Sequence, residues 1–406
     1  MKLSYKTYYI LFFILYALAH IVFYKMGILS SESQDYTAPV ESLINNGSFL
    51  DETGFLWNKT PPLFPLWLYI QYQIAVFTGI PQILLTSLFS IVITLFSGHF
   101  IYKIVRLVFS ENERMARLAM LLFLSCPFII YATYKPLSLV PFCVLLYASL
   151  YYLLKYLFYD KDYKQLIISS VLLGLALLTR PIGILIPLIY ALVCIIYLFK
   201  HKKRAFVSIA IIASVIALTI APWTAYNYAK SNQFVLLSSH GVNSIKDGFN
   251  LSNKFYREKI EVSEDVSMIS NSFYEQREEV QNLGDVLTFL GKKWEEDKGA
   301  LLNFYLFKAQ RVWYGLDSQN SKKERYIKII SILYIILFIT GSVLIFRQKN
   351  KQYSWLLISI LLITFYFWGM AIVVVPLLRY MLPSIGLFMI SIAFLGDAYL
   401  PKRLRV

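Results

Sequence analysis

Ten apolar runs, each close to the ~20 residues a helix needs to cross hydrocarbon, dominate this chain of 406 residues. They lie at about 7–27, 82–105, 116–134, 137–158, 164–180, 182–199, 205–222, 326–346, 353–375 and 379–398. Inside a bilayer every backbone polar group must be satisfied within the protein, so runs of this length predict helices and not open strands. The expected fold is an all-α polytopic membrane protein with about ten transmembrane helices.

A net charge of +15 invites a nucleic-acid reading, and its distribution excludes one. Residues 223–325 carry 14 basic and 14 acidic side chains, so the excess, 25 basic against 10 acidic, lies elsewhere. Most of it sits in short loops between the runs, which is the positive-inside pattern and not a phosphate-binding stripe. With the N-terminus inside, 19 of those 25 basic residues face inward, and both termini are cytoplasmic. Six face outward: Lys25, Lys59, Lys135, Arg180, Lys328 and Arg379.

Residues 61–79 (PPLFPLWLYIQYQIAVFTG) are apolar enough to span, but a crossing there would invert every later loop. They are predicted to form a re-entrant or interfacial helix on the outer face. Pro61 and Pro62 suit its first turn, and Trp67, Tyr69 and Tyr72 suit an interface. The organisation is then an N-terminal transmembrane module, 1–222, with a first outer loop over 28–60. A small α-rich outer domain follows over 223–325, with helices expected at 255–281 and 285–313, and C-terminal transmembrane helices fill 326–406. Cys126, Cys143 and Cys194 all lie in apolar runs, so neither a disulfide framework nor a metal-ligand spacing follows. Apolar sequence continues past Ala17-Leu18-Ala19, which predicts an uncleaved first helix.

The polar residues that composition does not explain fall on the outer side. The first loop, SESQDYTAPVESLINNG, holds Glu32 and Asp35, three apart and so on one face of a helix. A carboxylate at the mouth of a membrane cavity can act as general base for an acceptor hydroxyl; a solvated acidic loop has the same spacing. Arg180 closes the run GLALLTRPIG and Arg379 opens RYMLP, both at the outer boundary. A single arginine there snorkels to the headgroups. Two of them with Lys59 and Lys135 at one level can bind a lipid-linked phosphate, arginine in a bidentate way and lysine as a point charge. In PWTAYNYAKSNQFVLLSSHGVNSIKDGFN, Pro222 is expected to end a helix, and Trp223, Tyr226 and Tyr228 match an interfacial belt. Asn227 and the turn-rich HGVNSIKDGFN stretch are left over and can shape a sugar site. His240, without a second His or a Cys nearby, is a poor metal ligand.

An acidic first loop ending in Lys-Thr-Pro-Pro-Leu, then GLALLTRPIG, PWTAYNY and RYMLP, is an order that resembles the integral-membrane GT-C glycosyltransferases. The similarity is to the branch of the protein O-mannosyltransferases and the lipid A aminoarabinose transferases. It runs from about Glu32 to Pro383. The resemblance implies transfer of a sugar, with inversion, from a polyprenyl-phosphate donor to an acceptor. It makes Glu32 or Asp35 the base, with Tyr36 beside it, and sets Lys59, Arg180, Arg379 and Lys308 at the donor phosphate. It also adds Tyr380 of the Arg-Tyr pair to the substrate site. Three positions depart from the pattern: Glu32 stands where Asp is usual, Tyr226 where Arg is usual, and Lys135 where many relatives carry an acid.

The sequence is thus expected to encode a polyprenyl-phosphate-sugar-dependent glycosyltransferase, hexosyl or pentosyl, working at the outer face of a plasma (inner) membrane. Its partners would be the lipid-linked donor, the bilayer and an acceptor glycan, lipid or protein. No cofactor or metal is expected, because polyprenyl phosphate is a good leaving group. Three other readings stay open. A lipid-linked glycan polymerase or ligase would share the basic outer cavity. A lipid or sugar transporter would place charges nearer the midplane and show inverted repeats. A catalytically dead scaffold would fit the three departures.

Overall fold

The computed structural model describes residues 5–25, 34–110, 112–134, 138–160, 162–251, 262–316 and 321–399. Their regular structure is helical, apart from an isolated bridge between Leu50 and Leu56. In chain order the first helices are α1 (Tyr5–Lys25), α2 (Gln34–Asn46), α3 (Leu63–Thr78), α4 (Gln82–Val108), α5 (Glu113–Ser125) and α6 (Pro127–Tyr134). Then come α7 (Leu139–Lys155), α8 (Tyr163–Thr179), α9 (Ile186–Tyr197), α10 (Lys202–Ser231), α11 (Gly241–Asp247) and α12 (Glu264–Glu275). The last are α13 (Leu283–Glu296), α14 (Lys298–Arg311), α15 (Ser321–Arg347), α16 (Lys351–Val373) and α17 (Leu382–Tyr399).

Seven of these segments are long and apolar enough to cross a membrane, and the bent pair α5–α6 makes an eighth. This is a multi-pass membrane protein. The run expected over 116–134 bends by 53° where Cys126 joins the two helices. Pro127 causes the break: it has no N–H to donate and its ring crowds the turn before it. The 164–199 region is also helical, but Pro181 divides it into α8, of 17 residues, and a short 3-10 turn leading into α9. The expected end of a helix at Pro222 is not what forms. The α10 helix runs through it for 30 residues to Ser231. Proline removes only its own donor, and bonds on either side of it can carry a long membrane helix past.

The chain folds as two compact units. The first comprises Met1–Ser238, Leu337–Ile363 and Ile385–Val406; the second comprises Ser239–Ile336 and Thr364–Ser384.

In the first unit α7 packs on α4 and α8, and α8 packs on α10. Small and hydroxylated residues set these approaches, as they do where lipid gives helices no hydrophobic reason to associate. Ser149 Oγ donates to the Ser169 carbonyl, and Ser169 Oγ returns the bond to the Ser149 carbonyl, both at 2.8 Å. Gly174 lets α8 close on α10: a Cβ there would stand 2.7 Å from Thr219 Cβ. Gly174→Val is therefore expected to cost about 1–3 kcal/mol through overpacking, read as a lower apparent Tm in detergent. An unchanged Tm would mean the two helices are not held at this distance.

The second unit has an aromatic core in which Phe249 stacks on Phe273 at 3.9 Å and on Phe304 at 5.2 Å. Of the helix expected over 255–281, residues 264–275 form α12 and 276–281 leave it as a turn, while residues 252–261 lie outside the description. The helix expected over 285–313 is two, α13 and α14. Asp297 separates them, with an extended backbone and a carboxylate that accepts from Ala300 N at 2.9 Å. Aspartate favours such a cap over a helix interior because its side chain competes for nearby backbone N–H groups. A capping box opens α13: Asn282 accepts from Asp285 N, and Asp285 accepts from Asn282 N and Gln281 N. Those two backbone donors hold the Asp285 carboxyl below the usual carboxylate range.

Candidate active site

In the first unit the chemistry gathers around α2 and α3. Val40 of α2 packs with Phe64 and Leu68 of α3, flanked by Tyr36, Ile44, Trp67 and Tyr69. That contact brings the first turn of α2 against the chain just before α3. Lys59 Nζ lies 4.0 Å from Asp35 Oδ1, and each side chain is 39% exposed. Thr60 Oγ1 donates to the Asp35 carbonyl at 3.1 Å, which fixes the two backbones to each other. Tyr36 sets its ring edge-on to Phe64 at 5.2 Å, and its hydroxyl accepts from Ser138 Oγ at 3.0 Å. The Lys59 carbonyl accepts from Ser238 Oγ. The lysine thus has a backbone carbonyl held by Ser238 and a half-exposed side chain beside Asp35. Glu32 and Lys135 lie outside the described residues.

Not every acid of the first loop is available for chemistry. Asp51 Oδ1 accepts from Thr53 N, Thr53 Oγ1 and Phe55 N at 2.7–2.9 Å, and so builds the turn that pairs Leu50 with Leu56. These donors hold its carboxyl below the ordinary carboxylate value, the Thr53 hydroxyl most.

Arg180 caps the C-terminal end of α8. The residue before a proline is disfavoured in helix, and Arg180, ahead of Pro181, is extended at φ −145°, ψ 123°. Its side chain is buried. The helix it terminates packs on α3, which in turn packs on α2.

The PWTAYNY stretch has a different role from the interfacial belt expected of it. Trp223 is buried, and its Nε1 donates to Leu237 O at 2.9 Å. Thr224 Oγ1 donates to Leu236 O at 3.0 Å, and Asn227 Nδ2 donates to Val235 O at 3.2 Å. Together they staple the chain leaving α10 back onto that helix. Asn227 is wholly buried. Tyr226 stacks on Trp223 at 5.7 Å, and its hydroxyl accepts from Phe49 N at 3.3 Å, tying the end of the first loop to α10. Tyr228 alone of the three aromatics is exposed.

The second unit holds the remaining candidates. His240 is half-buried at the start of α11. Arg379 and Tyr380 lie half-buried on the 3-10 turn Leu378–Met381, the guanidinium carbon 5.3 Å from the tyrosine ring centre. Lys308 is fully enclosed among Phe249, Phe304 and Tyr305, and its ammonium donates to Val374 O at 3.0 Å and Val373 O at 3.3 Å. It closes the C-terminal end of α16, where a helix presents unpaired carbonyls. Sequence reasoning missed its neighbour. Arg311 Nη1 donates to Pro376 O at 3.1 Å, and Nη2 donates to Glu324 Oε1 at 2.7 Å. Glu324 also accepts from Leu316 N at 2.9 Å, and Leu378 N donates to Gly315 O at 2.9 Å. A buried ion pair and a buried lysine therefore fix the break between α16 and α17, directly before Arg379.

Burial pushes the Lys308 ammonium down to about 7. Between there and the ordinary lysine value of about 10.4, the unfolded chain binds a proton that the folded one lacks. Stability therefore rises with pH across that window, by at most about 1.4 kcal/mol per unit. Below it both states are protonated and the gain is absent. A neutral amine keeps two N–H donors, enough for both carbonyls. The apparent Tm, measured relative to Lys308→Met, is expected to climb from pH 7 to 9; parallel curves for the two proteins would refute the assignment.

A sequence profile of the dolichyl-phosphate-mannose-protein mannosyltransferase family matches residues 59–226, from Lys59 through Arg180 to Tyr226. Among solved structures, the apo oligosaccharyltransferase of Archaeoglobus fulgidus matches with a TM-score of 0.55 and 12% identity, covering 98% of this chain and 52% of that one. The chain has the GT-C fold. Archaeal AglB from the same organism, in complex with an inhibitory peptide and a dolichol-phosphate, matches at 0.54 with 12% identity, over 98% of this chain and 53% of its own. The chain spans about half the length of those archaeal proteins. ArnT from Cupriavidus metallidurans, bound to undecaprenyl phosphate, covers 95% of this chain and 76% of its own at 12% identity, with a TM-score of 0.44. No curated protein matches the sequence.

Proposed function

We propose that this GT-C protein is a glycosyltransferase that moves a sugar, with inversion, from a polyprenyl-phosphate donor to an acceptor at the outer membrane face. The observation that carries the reading is the approach of a first-loop carboxylate, Asp35, to the Lys59 ammonium at 4.0 Å, where the mannosyltransferase match begins. Dolichol-phosphate in the archaeal AglB complex supports a lipid-phosphate donor. An acidic side chain of the first loop, Glu32 or Asp35, takes the proton of the acceptor hydroxyl as its oxygen attacks the anomeric carbon. The bond from that carbon to the phosphate oxygen breaks, and polyprenyl phosphate leaves with the electron pair. Lys59 and Arg180 stabilise the negative charge that grows on the phosphate, a role that is large where water is excluded. Arg379 and Tyr380 take substrate roles by family resemblance alone. Exposed pairs such as Asp35–Lys59 are worth only about 0.2–1 kcal/mol, so a phosphate can displace the carboxylate from Lys59 at little cost and leave it free to accept a proton.

We further propose that transfer needs no metal. Membranes containing the chain are expected to consume one of a panel of radiolabelled polyprenyl-phosphate monosaccharides, at the same rate with and without EDTA. Loss with EDTA and rescue by magnesium or manganese would overturn the metal-free step. No consumption of any donor, together with movement of labelled lipid across the bilayer, would favour a transporter. Joining of two lipid-linked oligosaccharides would favour a polymerase or ligase.

A further inference from the structure

Within the first unit, well away in sequence from Asp35 and Lys59, a cavity of about 430 Å³ opens between the end of α9, the turn into α10 and the start of α16. Its lining includes Lys200, His201, Arg204 and Lys351 and no acidic residue. Arg204 is the fixed member. Its Nε donates to Tyr156 OH at 3.2 Å, and the guanidinium lies over the rings of Tyr156 and Tyr163 at 5.3 and 5.5 Å. Lys351 stands 4.9 Å above the Tyr197 ring, and Tyr197 is itself propped edge-on by Trp355 at 5.5 Å. Neither Lys200 nor Lys351 forms an ion pair among the described residues. The two ammonium groups, held beside a fixed guanidinium with no acidic side chain on the lining, favour an anion in the hollow.

The rim tells which anion. Ile196 is 47% exposed and Phe199 69% exposed, both on the cavity lining, so the basic pocket borders a bare apolar surface. A soluble anion has no use for that surface, while a phospholipid needs both parts. Basic pockets between transmembrane helices are a recurrent way of holding anionic headgroups.

We propose that this cavity is a binding site for the phosphate headgroup of an anionic phospholipid, with Arg204, Lys200 and Lys351 around the phosphate and acyl chains along Ile196 and Phe199. The site is independent of the transfer reaction proposed above, and its test does not read activity.

The full chain in mixed micelles should bind spin-labelled phosphatidylglycerol in preference to phosphatidylcholine. Lys200→Gln with Lys351→Gln should weaken phosphatidylglycerol binding about 25-fold, at roughly fivefold per juxtamembrane charge. Lys202→Gln with Lys203→Gln removes the same charge from the first turn of α10, outside the cavity lining, and should change binding less than twofold. Equal binding of the two lipids, or equal loss in the two double variants, overturns the site. Displacement of the lipid by millimolar inorganic phosphate would make it a soluble-anion site and overturn the lipid assignment. In the wild-type chain, a photoactivatable phosphatidylglycerol should crosslink within residues 196–204; crosslinks confined to other segments overturn the proposal without any variant.

Discussion

Glu32→Gln and Asp35→Asn are expected to damage transfer in different ways, and one of them should lower kcat by about 10²–10⁴-fold, the usual worth of a positioned general base. The acid that takes the proton acts only as the bond to the acceptor forms, so its loss appears in kcat with the donor KM little changed. The other acid is left with an electrostatic task. For Asp35 that task is visible: at 4.0 Å it orients the Lys59 ammonium, and both side chains are open enough to water for the pairing to be weak. If Glu32 is the base, Asp35→Asn should raise the donor KM several-fold by leaving Lys59 less well placed. If Asp35 is the base, the kcat loss moves to Asp35→Asn. Steady-state kinetics with the labelled donor separates the two patterns. Equal losses of kcat in both variants, or in neither, would show that the first loop does not supply the proton acceptor.

How far this site was legible depended on whether the signal was local. Apolar length located the membrane helices and the short one at residues 61–79, which forms as α3, but gave no sign of α2. The Lys-Thr-Pro-Pro motif located Lys59, and two elements close in the chain, α2 and α3, then brought it to Asp35. Local rules failed where tertiary contacts overrode them. Pro222 reads as a helix stop, yet Trp223, Thr224 and Asn227 are satisfied by carbonyls at 235–237 only if the helix continues beyond it. The aromatics there resemble a membrane belt because burial and interfacial placement select the same side chains. Asp297 was readable in principle as a cap, since its side chain serves the next turn, but the apolar pattern on either side concealed the break. Least legible was the network around Arg311. Its partners stand 13 residues away at Glu324 and 65 away at Pro376, a spacing that matches no motif and gives no periodic signal.

Arg311→Met should therefore be among the most damaging single changes outside the first loop, at about 3–5 kcal/mol, because it strands a buried carboxylate. The Arg311–Glu324 pair is almost completely enclosed, at 2% and 6% exposure. Removing the guanidinium also takes a donor from Pro376 O and leaves Glu324 held only by Leu316 N. The pair itself need not stabilise much, since removing two ions from water costs nearly what their attraction returns. Arg311→Met combined with Glu324→Leu should accordingly recover most of the loss. Hydrogen exchange is the direct readout: the Leu316 and Leu378 amides should exchange at least ~10²-fold faster in the single variant, at 1.4 kcal/mol per tenfold, and regain protection in the double one. A double variant as unstable as the single one would mean that the ion pair, and not the relief of a stranded charge, holds the break between α16 and α17. Protection unchanged in both would show that the break is held without Arg311, and that the lysine cap at Val373 and Val374 is sufficient.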